Sequence, residues 1–351
     1  MKSITASFSQ FRRKPAFTGF VLFMIALVLN LIFQGPAGFF SANSLRILFT
    51  TSVPFLLVVM AHSVLLISGT LDISIGIQLA LVNVVTIMTV QEWGVPFALG
   101  ALLGVGAAIV ASAILWVLVS LLRLPDLLAS FALAYAIRGI NVLIMNIPQG
   151  TVERVYFNFY NSSVLRYIPM PALILLVIGI AWMLLKRTKF GTNIYAVGAN
   201  PQNAFAAGIS PEKVQFQAFM VKGVITGVAG ICLTLMTASG NPLQAEPWGL
   251  RSLAAAIIGG LTFGGWGTMA CAVFGGGFLV LIDNTVFFLF NFLNRVIPGL
   301  TISSFWNNFV ADSIIFLGLL TTILTVKGQR EALRINIQNK YLKKRRQENE
   351  N

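Results

Sequence analysis

Ten stretches of the chain are almost wholly apolar: residues 17–34, 47–68, 73–90, 97–121, 127–147, 168–186, 213–238, 250–263, 269–292 and 305–326. Most approach the length of about 20 residues that an α-helix needs to cross a hydrocarbon core. Several are separated by only a few residues, which marks half-helices or tightly broken pairs. The pattern predicts an all-α, polytopic transmembrane helical bundle of about ten spans.

Composition sharpens this. Of 351 residues, 57% are hydrophobic and 10% are charged, against about 25% charged in soluble domains. A soluble fold of this length could not hide so much apolar surface. The net charge of +13 does not make the chain a nucleic-acid binder, because its basic residues are not gathered on a folded polar surface. They follow topology instead. With the N-terminus inside, 17 of the 24 Lys and Arg fall on inside segments, and four (Arg46, Arg154, Arg166 and Arg295) on outside loops. This bias predicts that both termini are cytoplasmic. The chain divides into a cytoplasmic segment 1–16, a membrane domain 17–326 with an inside loop at 187–212, and a basic tail 327–351. Arg12-Arg13-Lys14 precede a first span that reads as a retained anchor rather than a cleaved signal. Lys never follows Gly, so there is no P-loop for ATP; if the protein is an energised pump, the energy enters from a partner or from an ion gradient.

Three segments interrupt the apolar pattern. Ser68-Gly69-Thr70-Leu71-Asp72-Ile73-Ser74 breaks one helix, and Asp72 and Ser74 are suited to cap the next. Backbone freed at such a break must face protein or a water-filled cavity, so Asp72 and Ser74 are candidate gate or pathway residues. Gly259-Gly260-Leu261-Thr262-Phe263-Gly264-Gly265 is too rich in glycine for a helix interior. It occupies the same topological place, and Ile67 aligns with Ile258, Gly69 with Gly260 and Gly76 with Gly267. We read a parallel repeat of about four spans per copy, with Gly259, Gly260, Gly264 and Gly265 near the pathway. In the inside loop, Asn200 suits an N-cap, Pro201 the first turn and Gly208 the end of a short helix at about 201–207. Its small-residue face (Ala204, Ala206 and Ala207) fits a groove on another protein.

These segments, in this order, resemble the permease subunits of bacterial ABC importers for ribose, galactose, xylose and related compounds. The resemblance rests on Leu71 to Gly76, on Leu133 to Gly139, on Tyr195 to Ile209, and on Leu253 to Gly260 with Gly264-Gly265. It implies a permease pair, as homo- or heterodimer, that imports a sugar or sugar-like solute by alternating access. The implied partners are an ATP-binding cassette ATPase carrying ATP and Mg, and a periplasmic solute-binding protein. The permease itself is implied to be non-catalytic and to bind no cofactor. The docking segment for the ATPase maps to Asn200, Pro201, Gln202, Asn203, Ala204, Phe205, Ala206, Ala207 and Gly208. Gly249 and Arg251 stand where the sugar permeases usually carry acidic residues, and Lys222 where they carry a neutral one. A basic residue near that place, with Trp306-Asn307, resembles the branch that imports the furanosyl autoinducer.

Asp72, Arg138, Lys222, Arg251, Asp283 and Asp312 lie in or near spans. Each would cost about 2.5–3.5 kcal/mol or more at the centre of a lipid-facing helix, so they must face protein, water or the interface. Ion pairing is the first reading for them, and a hydrophilic lining, with Asp283 and Asn284 as further pathway candidates, the second. An ion-coupled secondary transporter or channel is the alternative function these charges raise. His62, Cys232 and Cys271 read as packing residues, with no metal-binding spacing.

Overall fold

A computed structural model of the chain describes residues 15–164, 167–262, 264–297 and 304–325. The expectations for the first 14 residues and for the tail 327–351 lie outside the described residues. Helices run in the order α1 (Ala16–Gln34), α2 (Pro36–Phe39), α3 (Ala42–Ser68), α4 (Ile75–Trp93), α5 (Phe97–Trp116) and α6 (Asp126–Ile144). A π-turn, Val117–Leu121, extends α5. After α7 (Arg154–Tyr160) a small hairpin pairs β1 (Ser163–Val164) with β2 (Ile168–Pro169). Then follow α8 (Met170–Lys186), α9 (Lys189–Ala199), α10 (Pro201–Ala206), α11 (Pro211–Thr237), α12 (Trp248–Ile258), α13 (Met269–Val296) and α14 (Ser304–Thr325).

Each of the ten apolar segments therefore holds a helix, but they are not ten equal spans. Seven described helices are long and apolar enough to cross a membrane: α1, α3, α4, α5 with its π-turn, α6, α11 and α13. A bend of 79° separates α8 from α9, and together they make an eighth candidate. The segment at 250–263 is a half-helix, since α12 has only 11 residues, about 16 Å at 1.5 Å per residue.

The central helices are α3 and α4, with 89% and 72% of their spanning windows buried. The windows of α1 and α6, 22% and 28% buried, are peripheral. Lipid tails give apolar helices no hydrophobic reason to associate, so close approach of backbones matters more. The face of α11 that meets α5 carries Gly223 and Gly227, where an added Cβ would stand 2.9 Å from Ser112 Oγ and 2.8 Å from Val105 Cγ1. That spacing, one turn apart, lets the two helices touch.

The two helix breaks share a geometry. Thr70 N–H donates to Leu65 O at 3.0 Å and Gly69 N–H to Leu66 O at 3.2 Å; Leu261 N–H donates to Ala256 O at 3.0 Å and Gly260 N–H to Ile257 O at 2.9 Å. Gly69 and Gly260 both take a positive φ, 84° and 101°, as a glycine-terminated helix end requires. The offset is the one that aligns Ile67 with Ile258. The matching units, α1-α3-α4 and α11-α12-α13, hold three helices each rather than the expected four or so, and they are interleaved: α1 lies against α13, and α11 against α4. Beyond the glycines the copies diverge, because the glycine-rich turn delays α13 until Met269.

Candidate functional site

The three segments that interrupt the apolar pattern meet at one end of the bundle. Leu71 N–H, just past the end of α3, donates to Asp126 Oδ2 at the start of α6 (3.1 Å). Gly198 of α9 lies against the last turn of α3, and a Cβ there would stand 1.9 Å from Ile67 O. Gly265, with φ 77°, lies against the same helix; its Cβ would stand 2.8 Å from Tyr195 O and 2.9 Å from Ala199 N. Gly264 faces Gly198 O in the same way. Both broken-helix segments are thus in backbone contact with α9. Gly259 and Gly260 are buried, against Cys271 O and Pro15 O. In this structure the four glycines expected along a pathway are sites of backbone-to-backbone packing.

Immediately after α9 comes the short helix α10. Asn200 caps it, its Oδ1 accepting from Asn203 N–H at 2.9 Å, and Pro201 holds the first turn. Gly208 turns the chain away with φ 81°, and Ile209 N–H returns to Ala204 O. The helix ends at Ala206, one residue earlier than the sequence predicts. Its small-residue face is also not as expected. Ala204 is buried against the protein, while Phe205 is 72% exposed, flanked by exposed Gln202, Asn203, Ala206 and Ala207. The outward feature is an aromatic knob.

Asp72 sits in a fully buried polar cluster. Its Oδ1 accepts from Ser74 N–H at 2.7 Å and from Ser74 Oγ–H. Its Oδ2 accepts from Gln78 Nε2 at 3.0 Å and lies 2.5 Å from Lys222 Nζ of α11. Lys222 also donates to Gln78 Oε1 and to Ser112 Oγ of α5. Asp72 therefore caps the break, but Ser74 does so only indirectly: its hydroxyl serves the carboxylate, not the start of α4. Nearby, His62 Nδ1 lies 3.0 Å from Ser252 Oγ, which itself donates to Gly249 O. This contact links α3 to α12, the equivalent helices of the two units.

The remaining membrane charges are paired but partly exposed. Arg138 Nη1 meets Glu246 Oε1 at 2.9 Å. Arg251 Nη2 meets Asp283 Oδ1 at 2.7 Å and Asp312 Oδ1 at 3.7 Å. Asn284 donates to Asn30 Oδ1 at 2.7 Å and to Gln34 Oε1, while Asn30 donates to Thr285 Oγ1 and Leu281 O. Asp283 and Asn284, expected along the pathway, thus tie α13 to α12 and α1. Sequence reasoning did not single out Glu246, Gln78, Ser112 or Asn30. Their common signal was a polar side chain within or beside an apolar helix, which must find a partner.

Residues 44–324 match the family described as branched-chain amino acid transport system / permease component. The chain belongs to this permease family. The permease is 31% identical to the D-allose transport system permease protein of Escherichia coli (strain K12), covering 76% of this chain and 82% of that one. It is 28% identical to the autoinducer 2 import system permease protein of Salmonella choleraesuis, with 85% and 83% covered. With the ribose import permease protein of E. coli it shares 29% identity over 86% and 90% of the two chains. No solved structure matches it. It is a multi-pass membrane protein and the transport subunit of an ABC importer, not an enzyme, and such subunits hold no cofactor themselves. The two helix breaks and α10 fall within the matched region.

Proposed function

We propose that this permease translocates a sugar or sugar-like solute across the bacterial inner membrane, as one half of a homo- or heterodimer. A periplasmic solute-binding protein delivers the solute, and a separate ATPase holding ATP and Mg drives import by alternating access. The names of the allose, ribose and autoinducer 2 relatives support the solute class.

The end that carries α10 is cytoplasmic in this reading. Pro15, Arg123, Lys186, Arg187 and Lys189 belong to this end, and concentration of basic residues supports the orientation. Both termini are then cytoplasmic. The observation that carries the proposal is the seating of α10. The segment Asn200 to Gly208 presents Phe205 outward, while α9 behind it touches both broken-helix segments through Gly198 and Gly265. A push on α10 from a closing ATPase dimer passes through α9 to the end of α3, just before Asp72, and to the glycine turn, where Gly198 and Gly265 bring the backbones into contact. Gly259, Gly260, Gly264, Gly265, Asp72, Ser74, Asp283 and Asn284 act in this scheme as the framework that moves around the solute path.

The test is mild-detergent purification from the native host with mass spectrometry of co-eluting proteins. A Walker-A ATPase should co-elute with the unaltered chain and be lost with Phe205→Asp. Repeated elution without an ATPase would overturn the proposal.

A further inference from the structure

A cleft of about 300 Å³ opens between α6 and the start of α12, lined by Ile73, Ile77, Phe131, Tyr135, Arg138, Glu246 and Leu250 among others. Its depth follows from the helices. Arg138 lies twelve residues along α6 from Asp126, about 18 Å at 1.5 Å per residue. Glu246 lies just before α12, whose 11 residues separate it by about 16 Å from the same end of the bundle. The Arg138–Glu246 pair is therefore near mid-depth, yet its side chains are 42% and 39% exposed. An ion pair so exposed at that depth is incompatible with lipid tails. It faces water or protein.

The pair is also incompletely used. Among the described residues its one bond runs from Arg138 Nη1 to Glu246 Oε1, so other guanidinium donors and Glu246 Oε2 point to no protein partner. Beside it stand two aromatic rings, Phe131 and Tyr135, edge to face with centroids 4.9 Å apart and both more than half exposed. Adjacent donors and acceptors match the vicinal hydroxyls of a sugar, and aromatic faces match its C–H face. The paired charges cancel, so the cleft holds no net charge for an ionic solute.

We propose that this cleft is a station for a small, uncharged, polyhydroxylated solute on its way through the bundle. Glu246 accepts from solute hydroxyls, Arg138 donates to them, and Tyr135 and Phe131 cover the apolar face. The inference rests on the importer reading above.

The test places Ala134→Cys and Leu250→Cys, two positions in the cleft wall to which the proposal gives no contact role, one at a time, in the full-length permease in native membranes. Cys232 and Cys271 are buried, so background labelling by a charged, membrane-impermeant methanethiosulfonate is low. Both introduced thiols should react, and an aldose probe (D-ribose, D-allose or D-galactose at high millimolar concentration) should slow the reaction severalfold. Glu246→Gln or Arg138→Gln, added to either cysteine variant and checked for an unchanged gel-filtration profile, should abolish that protection. Labelling that no aldose slows overturns the proposal, as does protection by L-leucine alone. Failure to react with the charged reagent overturns it too, whether a lipophilic maleimide reacts instead or the thiols cross-link to a second copy. ATPase co-elution measured on the same preparations separates this result from a failure of the importer reading.

Discussion

Lys222 Nζ of α11 stands 2.5 Å from Asp72 Oδ2 at the break between α3 and α4, and neither side chain has any exposure. The pair joins the second repeat unit to the helix break of the first. Gln78 bonds to both ions and Ser112 adds a contact to the ammonium. Such a pair repays its desolvation only when its remaining donors and acceptors are filled, and here most are.

Removing one ion should therefore cost far more than removing both. We expect Asp72→Asn or Lys222→Met alone to lose about 3–5 kcal/mol, read as a large fall in apparent thermal midpoint in detergent. The double variant should recover most of that loss. A double variant as unstable as the sum of the singles would show that the ions act independently.

The Arg251–Asp283 pair should behave differently. Asp283 is 42% exposed and Arg251 keeps Asp312 at 3.7 Å. Partly exposed pairs contribute about 0–1 kcal/mol, so Asp283→Asn should shift the same melting midpoint little. A loss comparable to that of Asp72→Asn would place Asp283 in a tighter environment than these contacts describe.

Glycines of this permease fall into two groups that predict opposite outcomes. A Cβ at Gly198 would meet Ile67 O at 1.9 Å, whereas one at Gly179 in α8 meets nothing within 4 Å. Gly198→Ala should force α9 off α3, cost about 1–3 kcal/mol and weaken retention of the ATPase. Gly179→Ala should be neutral or gain about 0.5–1 kcal/mol from its higher helix propensity. Parallel melting and co-elution measurements on the two variants decide the matter.

The cap of α10 gives a graded test of docking. Asn200→Ala removes the acceptor for Asn203 N–H and should cost about 1 kcal/mol of local helix stability. Titration of the purified ATPase should show capture weakened by at most roughly fivefold, since about 1.4 kcal/mol corresponds to tenfold. Asn200→Asp should restore capture, because its carboxylate accepts the same bond. Equal loss in both variants would mean that Asn200 contacts the ATPase directly.

The sequence by itself determined the class of protein and the place of its helices. Long uncharged runs leave a chain no soluble option, so all ten apolar segments hold helices. Asn200, Pro201 and Gly208 also act locally, so α10 was legible to within a residue, as was the matched pair of helix ends at Gly69 and Gly260. What depends on distant partners was decided only by the tertiary structure. Hydropathy could mark Asp72 and Lys222 as costly in lipid but could not pair them, since their meeting requires α11 to lie against α4 across the interleaved units. Nor could it turn the expected small-residue face of α10 outward or inward; burial of Ala204 leaves Phe205 exposed. Glu246 carried no local pattern, and it acquires meaning only when the half-helix α12 brings it to Arg138 at mid-depth. Local capping and apolar length are properties of neighbouring residues, whereas the partner of a buried charge is a property of the packed bundle.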